Sequence, residues 1–429
     1  MRRETESGGR PAPLFLLMAT LFAAYLGYGV ILPVLPLLVE RLAEDASRLT
    51  VSAHTGLLAG LYMLMLFLFA PLWGRASDRF GRRPVLLLGL AGCVASLVAF
   101  GLATTLWTAY LARAAGGALV AAVLPAVLAY AAEVGPLEQR ARRFAWLTAA
   151  STLALVAGPA LGGRLAAIDT GAWGLRLEGP VLGLGMAAAF GALVWLAVYL
   201  RLPEAAPARR MPGPAAPARS RPRLGILLVF SLLGLFGLGS FETALTLRTQ
   251  QVLGLGADRL GTLFIECSLV MAAVQLVLFT PLLKRIGVRY ALVLAFTVTA
   301  AGLYGLVAAV EFAALLVSTA LVSGGIGLLI PLLAYAVSRA AGSAGQGRAL
   351  GRQIGVASLG QGVGSASAGW IFGLLPQAPF WITATVLLGA ALAAAIVRSL
   401  PDAPAVHRIR DRAGAARGAQ SPTAPVEEE

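Results

Sequence analysis

Residues Gly74–Pro84 read GRASDRFGRRP, and they gather Arg75, Arg79, Arg82 and Arg83 around a single carboxylate, Asp78. Runs of about twenty mostly apolar residues flank the stretch on both sides, each long enough to cross a bilayer as a helix. A charge knot between two oily segments reads as a short turn held at the water boundary of a membrane. Gly74 and Gly81 punctuate it, and glycine lets a backbone turn tightly. Arginine alone would hold such a turn on one face of the membrane. The lone acid and the two glycines require a further reason.

The rest of the chain repeats this alternation. Of 429 residues, 58% are hydrophobic and 13% charged, against about 25% charged in ordinary soluble domains. The mean hydropathy is +0.81. Twelve segments meet the length of about 20 apolar residues that a span needs. They are 14–39, 52–73, 84–105, 107–132, 144–167, 179–200, 224–247, 260–283, 290–310, 312–336, 350–374 and 380–400. The expected fold is an all-α membrane protein of twelve spans in two pseudo-symmetric bundles of six, covering 14–200 and 224–400. Residues 1–13 form a short polar N-terminus. Between the bundles, 201–223 (RLPEAAPARRMPGPAAPARSRPR) is rich in Pro, Ala and Arg and reads as a solvated linker. The polar tail 401–429 is expected to be disordered.

Charge fixes the orientation. One set of loops holds the N-terminal arginines, the Gly74–Pro84 cluster, Arg140, Arg142, Arg143, the linker, Lys284, Arg285, Arg289, Arg339, Arg348, Arg352 and the tail. The opposite set holds Arg41, Arg48, Arg164, Arg176, Arg248 and Arg259, offset by nearby acids. By the positive-inside rule both termini are cytoplasmic, and the chain is a multi-pass protein of the cell (inner) membrane. The formal charge of +14 is thereby assigned to topology. A nucleic-acid partner is not expected, since the arginines alternate with spans and form no basic domain. The partners expected are the lipid bilayer, protons and a small-molecule substrate, with the chain working as a monomer.

Several functions lack their residues. The two cysteines, Cys93 and Cys267, lie inside apolar runs and form no metal or redox pair. Neither metal nor cofactor is expected. The one lysine, Lys284, stands in LLKR, so no phosphate-binding G-x-x-x-x-G-K-[ST] loop exists. The two histidines, His54 and His407, belong to no HExxH pattern, and an enzyme is not expected. The first apolar run is too long for a signal-peptide core of about 7–15 residues and reads as an uncleaved first span.

A repeat lies in the loop between spans 8 and 9, TPLLKRIGVRY, Thr280–Tyr290. Laid on the opening stretch, it sets Lys284 on Asp78, Arg285 on Arg79, Gly287 on Gly81 and Arg289 on Arg83. Related spacing after the second span of each half marks a duplicated six-helix unit.

On these residues the chain resembles the major facilitator superfamily, over essentially Leu14 to Leu400. The family pattern G-x-x-x-D-R-x-G-R-R between spans 2 and 3 is matched by Gly74, Asp78, Arg79, Gly81, Arg82 and Arg83. In span 4, LARAAGG supplies the family's arginine as Arg113, with Gly116 where a glutamine is usual. In span 5, GPALGG supplies Gly158, Pro159, Gly162 and Gly163, a motif of the drug–proton antiporter branch. The resemblance implies a secondary active transporter that exports hydrophobic or cationic molecules against protons by alternating access. The alternative within the fold is a proton-coupled uptake symporter or a sugar or metabolite facilitator. It implies too that Asp78 latches the cytoplasmic side shut by meeting the amide end of span 11, near Gly347 to Arg352. A coupling of about 1–3 kcal/mol would suit such a switch.

Three ionisable groups fall inside spans: Arg113, Glu242 and Glu266. Each costs at least about 2.5–3.5 kcal/mol at a membrane centre. At 1.5 Å per residue they lie about 8–9 Å from the outer boundary, Arg113 in span 4, Glu242 in span 7, Glu266 in span 8. That shared depth suggests a cluster lining a central cavity, where a carboxylate could take a proton or attract a cation. Snorkelling to the nearby surface is the plainer alternative. Span 1 carries no carboxylate before Glu40; Tyr25, Tyr28, Pro33 and Pro36 are what it offers, and Tyr28 is a candidate for the cavity wall.

Overall fold

The computed structural model describes residues 12–43, 47–133, 140–166, 179–204 and 221–397. Residues 205–220 of the expected linker, the expected tail and nearly all of the N-terminus lie outside them. Every described regular element is helical. The elements are α1 (Ala12–Leu42), α2 (Arg48–Phe80), α3 (Arg82–Gly101), α4 (Leu106–Val120), α5 (Val123–Glu133), α6 (Arg140–Ala166) and α7 (Gly179–Arg201). Then come α8 (Arg221–Leu247), α9 (Ala257–Ala273), α10 (Phe279–Ala308), α11 (Phe312–Leu374) and α12 (Ala378–Ile396). Short π-helical turns follow α8 at Arg248–Val252 and link α9 to α10 at Val274–Leu278.

Among the described residues ten helical stretches are long and apolar enough to cross a membrane. α4 and α5 together form one span, interrupted where Pro125 cannot donate back to Ala121. Conversely, α10 contains a boundary between two spans: Gly287 there has φ 74°, outside the helical region. The 63 residues of α11 would reach about 95 Å if straight, three bilayer cores. They fold back instead. A Cβ on Gly234 of α8 would touch Leu329 and Leu333 from the first half of α11, while Gly360 from its second half abuts Leu232 of the same α8 turn. The first half runs against α10, where Gly302 meets Val322 and Gly325 meets Ala295. The second half runs against α2, where Gly56 meets Gly369, Gly60 meets Gly362, and Gly355 faces Phe67.

The duplication is visible in the backbone. Gly81, the single residue between α2 and α3, has φ 99°, and Gly287, its partner in the sequence repeat, has φ 74°. Both values need a residue without a Cβ. Two residues on, the matched arginines do the same work. Arg83 donates to the Tyr199 carbonyl near the end of α7, and Arg289 donates to the Ala395 carbonyl near the end of α12. Each caps the sixth helix of its own half, where unpaired carbonyls favour a cation.

One expectation is corrected. Gly74 makes no turn: it lies inside α2, and a Cβ there would meet nothing within 4 Å. The turn rests on Gly81 alone.

Candidate functional site

Two polar centres stand out. One lies at the arginine-rich end of the molecule, around the α2–α3 turn; the other lies within the spans, where the two bundles meet.

At the turn, Arg82 is the organiser. Its guanidinium donates to Asp78 Oδ1 at 2.7 Å and Ser77 Oγ at 3.1 Å, one helical turn back. It also clamps Glu133, at the end of α5, through contacts of 2.7, 3.2 and 3.3 Å. Burial works against its charge, but the hydrogen bonds to Glu133 and Asp78 outweigh that and hold the guanidinium more firmly protonated than usual. Glu204, just past α7, accepts from the backbone N–H groups of Arg82 at 2.8 Å and Arg83 at 3.3 Å. A carboxylate thus caps the amide end of α3. A Cβ at Gly81 would come within 2.7 Å of that carboxylate, so Gly81 is needed for space as well as for its backbone angle. Arg79 lies beside the Phe80 ring, 5.4 Å from its centroid. Asp78 accepts from Arg82. The amide end of the second half of α11, its expected partner, borders residues 342–348, whose side chains are not described. Glu133 and Glu204 were not anticipated from sequence, because each belongs to the end of another element and shares no spacing with the motif.

Inside the spans, α1, α8 and α11 bring Tyr28, Glu242 and Gln361 together. Tyr28 donates its hydroxyl to Glu242 Oε2 at 2.9 Å. Gln361 Nε2 donates to the same oxygen at 3.0 Å and to Tyr28 Oη at 3.2 Å. Tyr28 belongs to the first bundle, Glu242 and Gln361 to the second, so the bridge crosses the seam. Behind Tyr28 the first bundle continues the chain of contacts. The Tyr28 and Tyr62 rings stack with centroids 5.7 Å apart. The Arg113 guanidinium lies 4.3 Å from the Tyr62 centroid and 5.8 Å from that of Phe100. Arg113 is 3% exposed and donates from Nε to the Leu58 carbonyl at 3.3 Å. Cation–π contact steadies a charge that has left water. Gly116 makes the room: a Cβ there would come within 2.7 Å of Ser96 and 3.8 Å of the Tyr62 ring. Tyr28, Tyr62, Arg113, Gly116 and their neighbours enclose a cavity of ≈ 10 Å³, about the size for one water.

Of the three ionisable groups, Arg113 and Glu242 therefore end on one tyrosine-bridged chain. Glu266 lies apart. Its Oε2 is 2.8 Å from Thr319 Oγ1 of α11. Gln361 was missed by sequence reasoning, since a glutamine in a Gly- and Ser-rich helix carries no motif.

The GPALGG residues form a three-helix junction. A Cβ on Gly158 would meet Gly29 of α1 at 2.7 Å, and one on Gly162 would meet the Val30 carbonyl of α1. Gly163 faces Ala257 and Gly261 of α9, and the Pro159 carbonyl lies 3.1 Å from a Cβ on Gly261. Gly158 and Gly162 thus dock α6 on α1, while Pro159 and Gly163 dock it across the seam on α9. Among the described residues, further hydrogen bonds cross the seam from Gln250 to the Pro33 carbonyl (2.7 Å) and from Ser268 to the Leu155 carbonyl (3.2 Å). Among the described residues no group of His, Cys, Asp and Glu could hold a metal ion.

Similarity to known proteins agrees with this architecture. Multidrug resistance protein 1 of Bacillus subtilis is 28% identical over 389 residues, 88% of this chain and 95% of that protein. The class C tetracycline resistance protein of Escherichia coli is 31% identical over 356 residues, 81% of this chain and 86% of that protein. Among solved structures, a D-xylose–proton symporter superposes with a TM-score of 0.72 at 16% identity, covering 91% of this chain and 98% of that one; the likeness is one of fold. Residues 17–278 and 253–425 match the family model of the Major Facilitator Superfamily. With its apolar helices, a duplicated α2–α3 turn, a family match and relatives along most of its length, the chain belongs to the major facilitator superfamily.

Proposed function

We propose that the protein is a secondary active transporter that exports hydrophobic or cationic small molecules in exchange for protons. The observation that carries this reading is the Tyr28–Glu242–Gln361 bridge. Among the described residues Glu242 makes no ion pair; its two donors are a neutral hydroxyl and a neutral amide. Its negative charge is open to a cation, and Arg113 stands behind two aromatic rings. A cation reaching Glu242 competes with the Tyr28 hydroxyl, and that bond ties one bundle to the other. Loading the site then changes how firmly the bundles are joined, as alternating access requires. The relatives' names, multidrug and tetracycline resistance, support export of such cargo.

The arginine-rich end is the cytoplasmic one on this reading, with both termini there and the protein in the cell membrane as a monomer. In the outward-facing state, on this reading, Asp78 meets the amide end of the second half of α11 and latches the cytoplasmic side. The test is transport by purified protein in proteoliposomes, with a panel of cationic dyes and an imposed pH gradient. The expected result is dye movement against its gradient, driven by protons running the other way and lost in Glu242→Gln. Dye flux indifferent to the pH gradient, or proton-driven accumulation of a sugar or organic anion, would replace export by uptake.

A further inference from the structure

We propose that Glu266 carries the coupled proton, and that this structure holds it as a neutral carboxylic acid whose O–H donates to Thr319. The inference rests on proton-coupled export and assigns separate duties to two carboxylates: Glu242 meets the cargo's charge, Glu266 the proton.

The argument is a count of hydrogens. Thr319 Oγ1 lies 2.8 Å from Glu266 Oε2 and also 2.8 Å from the Leu315 carbonyl. A hydroxyl has one hydrogen to give. The carbonyl has none, so the Thr319 hydrogen satisfies that contact, as helical threonines commonly do. The contact to Glu266 then needs a hydrogen from Glu266. If Glu266 were ionised, one of these two short O···O contacts would lack a hydrogen. The other oxygen points the same way: Glu266 Oε1 is buried and meets no nitrogen or oxygen donor among the described residues, and the Cys267 thiol beside the carboxyl is a weak donor. An unpaired carbonyl oxygen is far cheaper to bury than half of an unpaired carboxylate. Glu242 is dressed in the opposite manner, with a hydroxyl and an amide both donating to its Oε2.

The neighbours offer no compensating charge. Thr319 of α11 and the Cys267 thiol of α9 itself lie beside Glu266, and Ser323 of α11 lies beside that thiol. The helix packed across the seam, α6, approaches this level of α9 through the Leu155 carbonyl. On α9 the nearest charged residues in sequence are Asp258 and Arg259, about two turns away at its start. Arg259 is turned onto the Phe312 ring, 4.9 Å from its centroid. On release, the Glu266 O–H bond breaks and the proton leaves to water on the arginine-rich side. Thr319 then swings its hydrogen from Leu315 to the new carboxylate. A proton from the other side reverses both moves, and no other reactant is needed.

The test is infrared difference spectroscopy of the full-length protein in lipid nanodiscs, titrated through the neutral range in H₂O and D₂O. A protonated carboxylic acid gives a carbonyl band that shifts on deuteration. The band should be present in wild type and in Glu242→Gln, and lost in Glu266→Gln. The glutamine amide can donate to Thr319 in place of the acid, so that variant keeps its packing. Thr319→Val removes the hydroxyl that the acid's O–H meets and should shift the position of the carbonyl band; Thr319→Ser should restore it. In proteoliposomes, Glu266→Gln should keep cargo exchange and lose acceleration by a pH gradient. The proposal is overturned by a band that survives in Glu266→Gln, by a band whose position is the same in Thr319→Val as in wild type, or by undiminished proton coupling in Glu266→Gln. Failure of the export reading looks different: wild type then moves no cationic dye under any gradient.

Discussion

At the scale of single residues, charge placement is decided by donors and rings. Arg82 joins three elements: the end of α2 through Ser77 and Asp78, the end of α5 through Glu133, and its own α3. Its side chain is 12% exposed and that of Glu133 11%, so losing one partner leaves the other with little water. Arg82→Lys cannot make the forked contact and should lower stability by about 1–3 kcal/mol, read as earlier loss of the monodisperse peak on heating. Glu204→Gln, whose partners are exposed backbone amides, should cost less in the same assay. Tyr28→Phe deletes the hydroxyl that crosses the seam to Glu242. Hydrogen bonds to charged groups are worth about 1.5–3 kcal/mol, so the balance between joined and separated bundles should move roughly ten- to hundredfold. Spin-label distances between α2 and the second half of α11 read that balance; unchanged distances would leave the bridge without a role in it. Arg113, Glu242 and Glu266 stood out in the sequence because charge in an apolar run is conspicuous. Gln361 and Glu133 did not, since a glutamine or a helix-end acid is ordinary until its partner is known.

At the scale of elements, missing side chains govern the close contacts. α2 and the second half of α11 touch through backbone: a Cβ on Gly56 would fall 2.5 Å from the Ser365 carbonyl oxygen and 2.7 Å from the Gly369 Cα. Neither atom can give way without moving a helix. Gly56→Ala should therefore spread these helices, favour the state in which they separate, and slow export without preventing insertion. The check is the same spin-label pair together with dye flux, and wild-type behaviour in both would remove the contact from the gate. Gly74 is the informative contrast. It is helical with open space around it, so Gly74→Ala should raise helix stability by about 0.5–1 kcal/mol. Slower turnover in that stabilised variant would mean that another element approaches Gly74 in the opposite state. The spacing of Gly81 and Gly287 was legible as a repeat, and their matching positive φ values give it a physical basis. The fold-back of α11 was legible as two apolar runs, 312–336 and 350–374, parted by a stretch with Arg339 and Arg348; that the stretch between them is helical too was not, because no proline or cap marks it.

At the scale of the whole molecule, two bundles share a seam, and the contacts that join them sit on different helices at different levels. Asp78→Asn tests the proposed switch between states. It keeps the size of the side chain while weakening both the contact with Arg82 and any grip on the amide end of α11. Insertion should be normal and turnover slower, measured as single-cycle dye release; full turnover would count against the latch. The sequence by itself determined that the chain crosses a membrane, about how often, where positive charge collects, and that its halves repeat. Those properties follow from quantities read along one dimension: segment hydropathy, loop charge and local spacing. Only the tertiary structure decided which charge meets which. Tyr28 and Gln361 stand 333 residues apart, and Tyr28 and Glu242 stand 214 apart. A helix that is apolar all round has no polar stripe to announce which face it turns to a partner, so rotation about the helix axis, and with it the pairing of Glu242 and the separate setting of Glu266, awaited the packed fold.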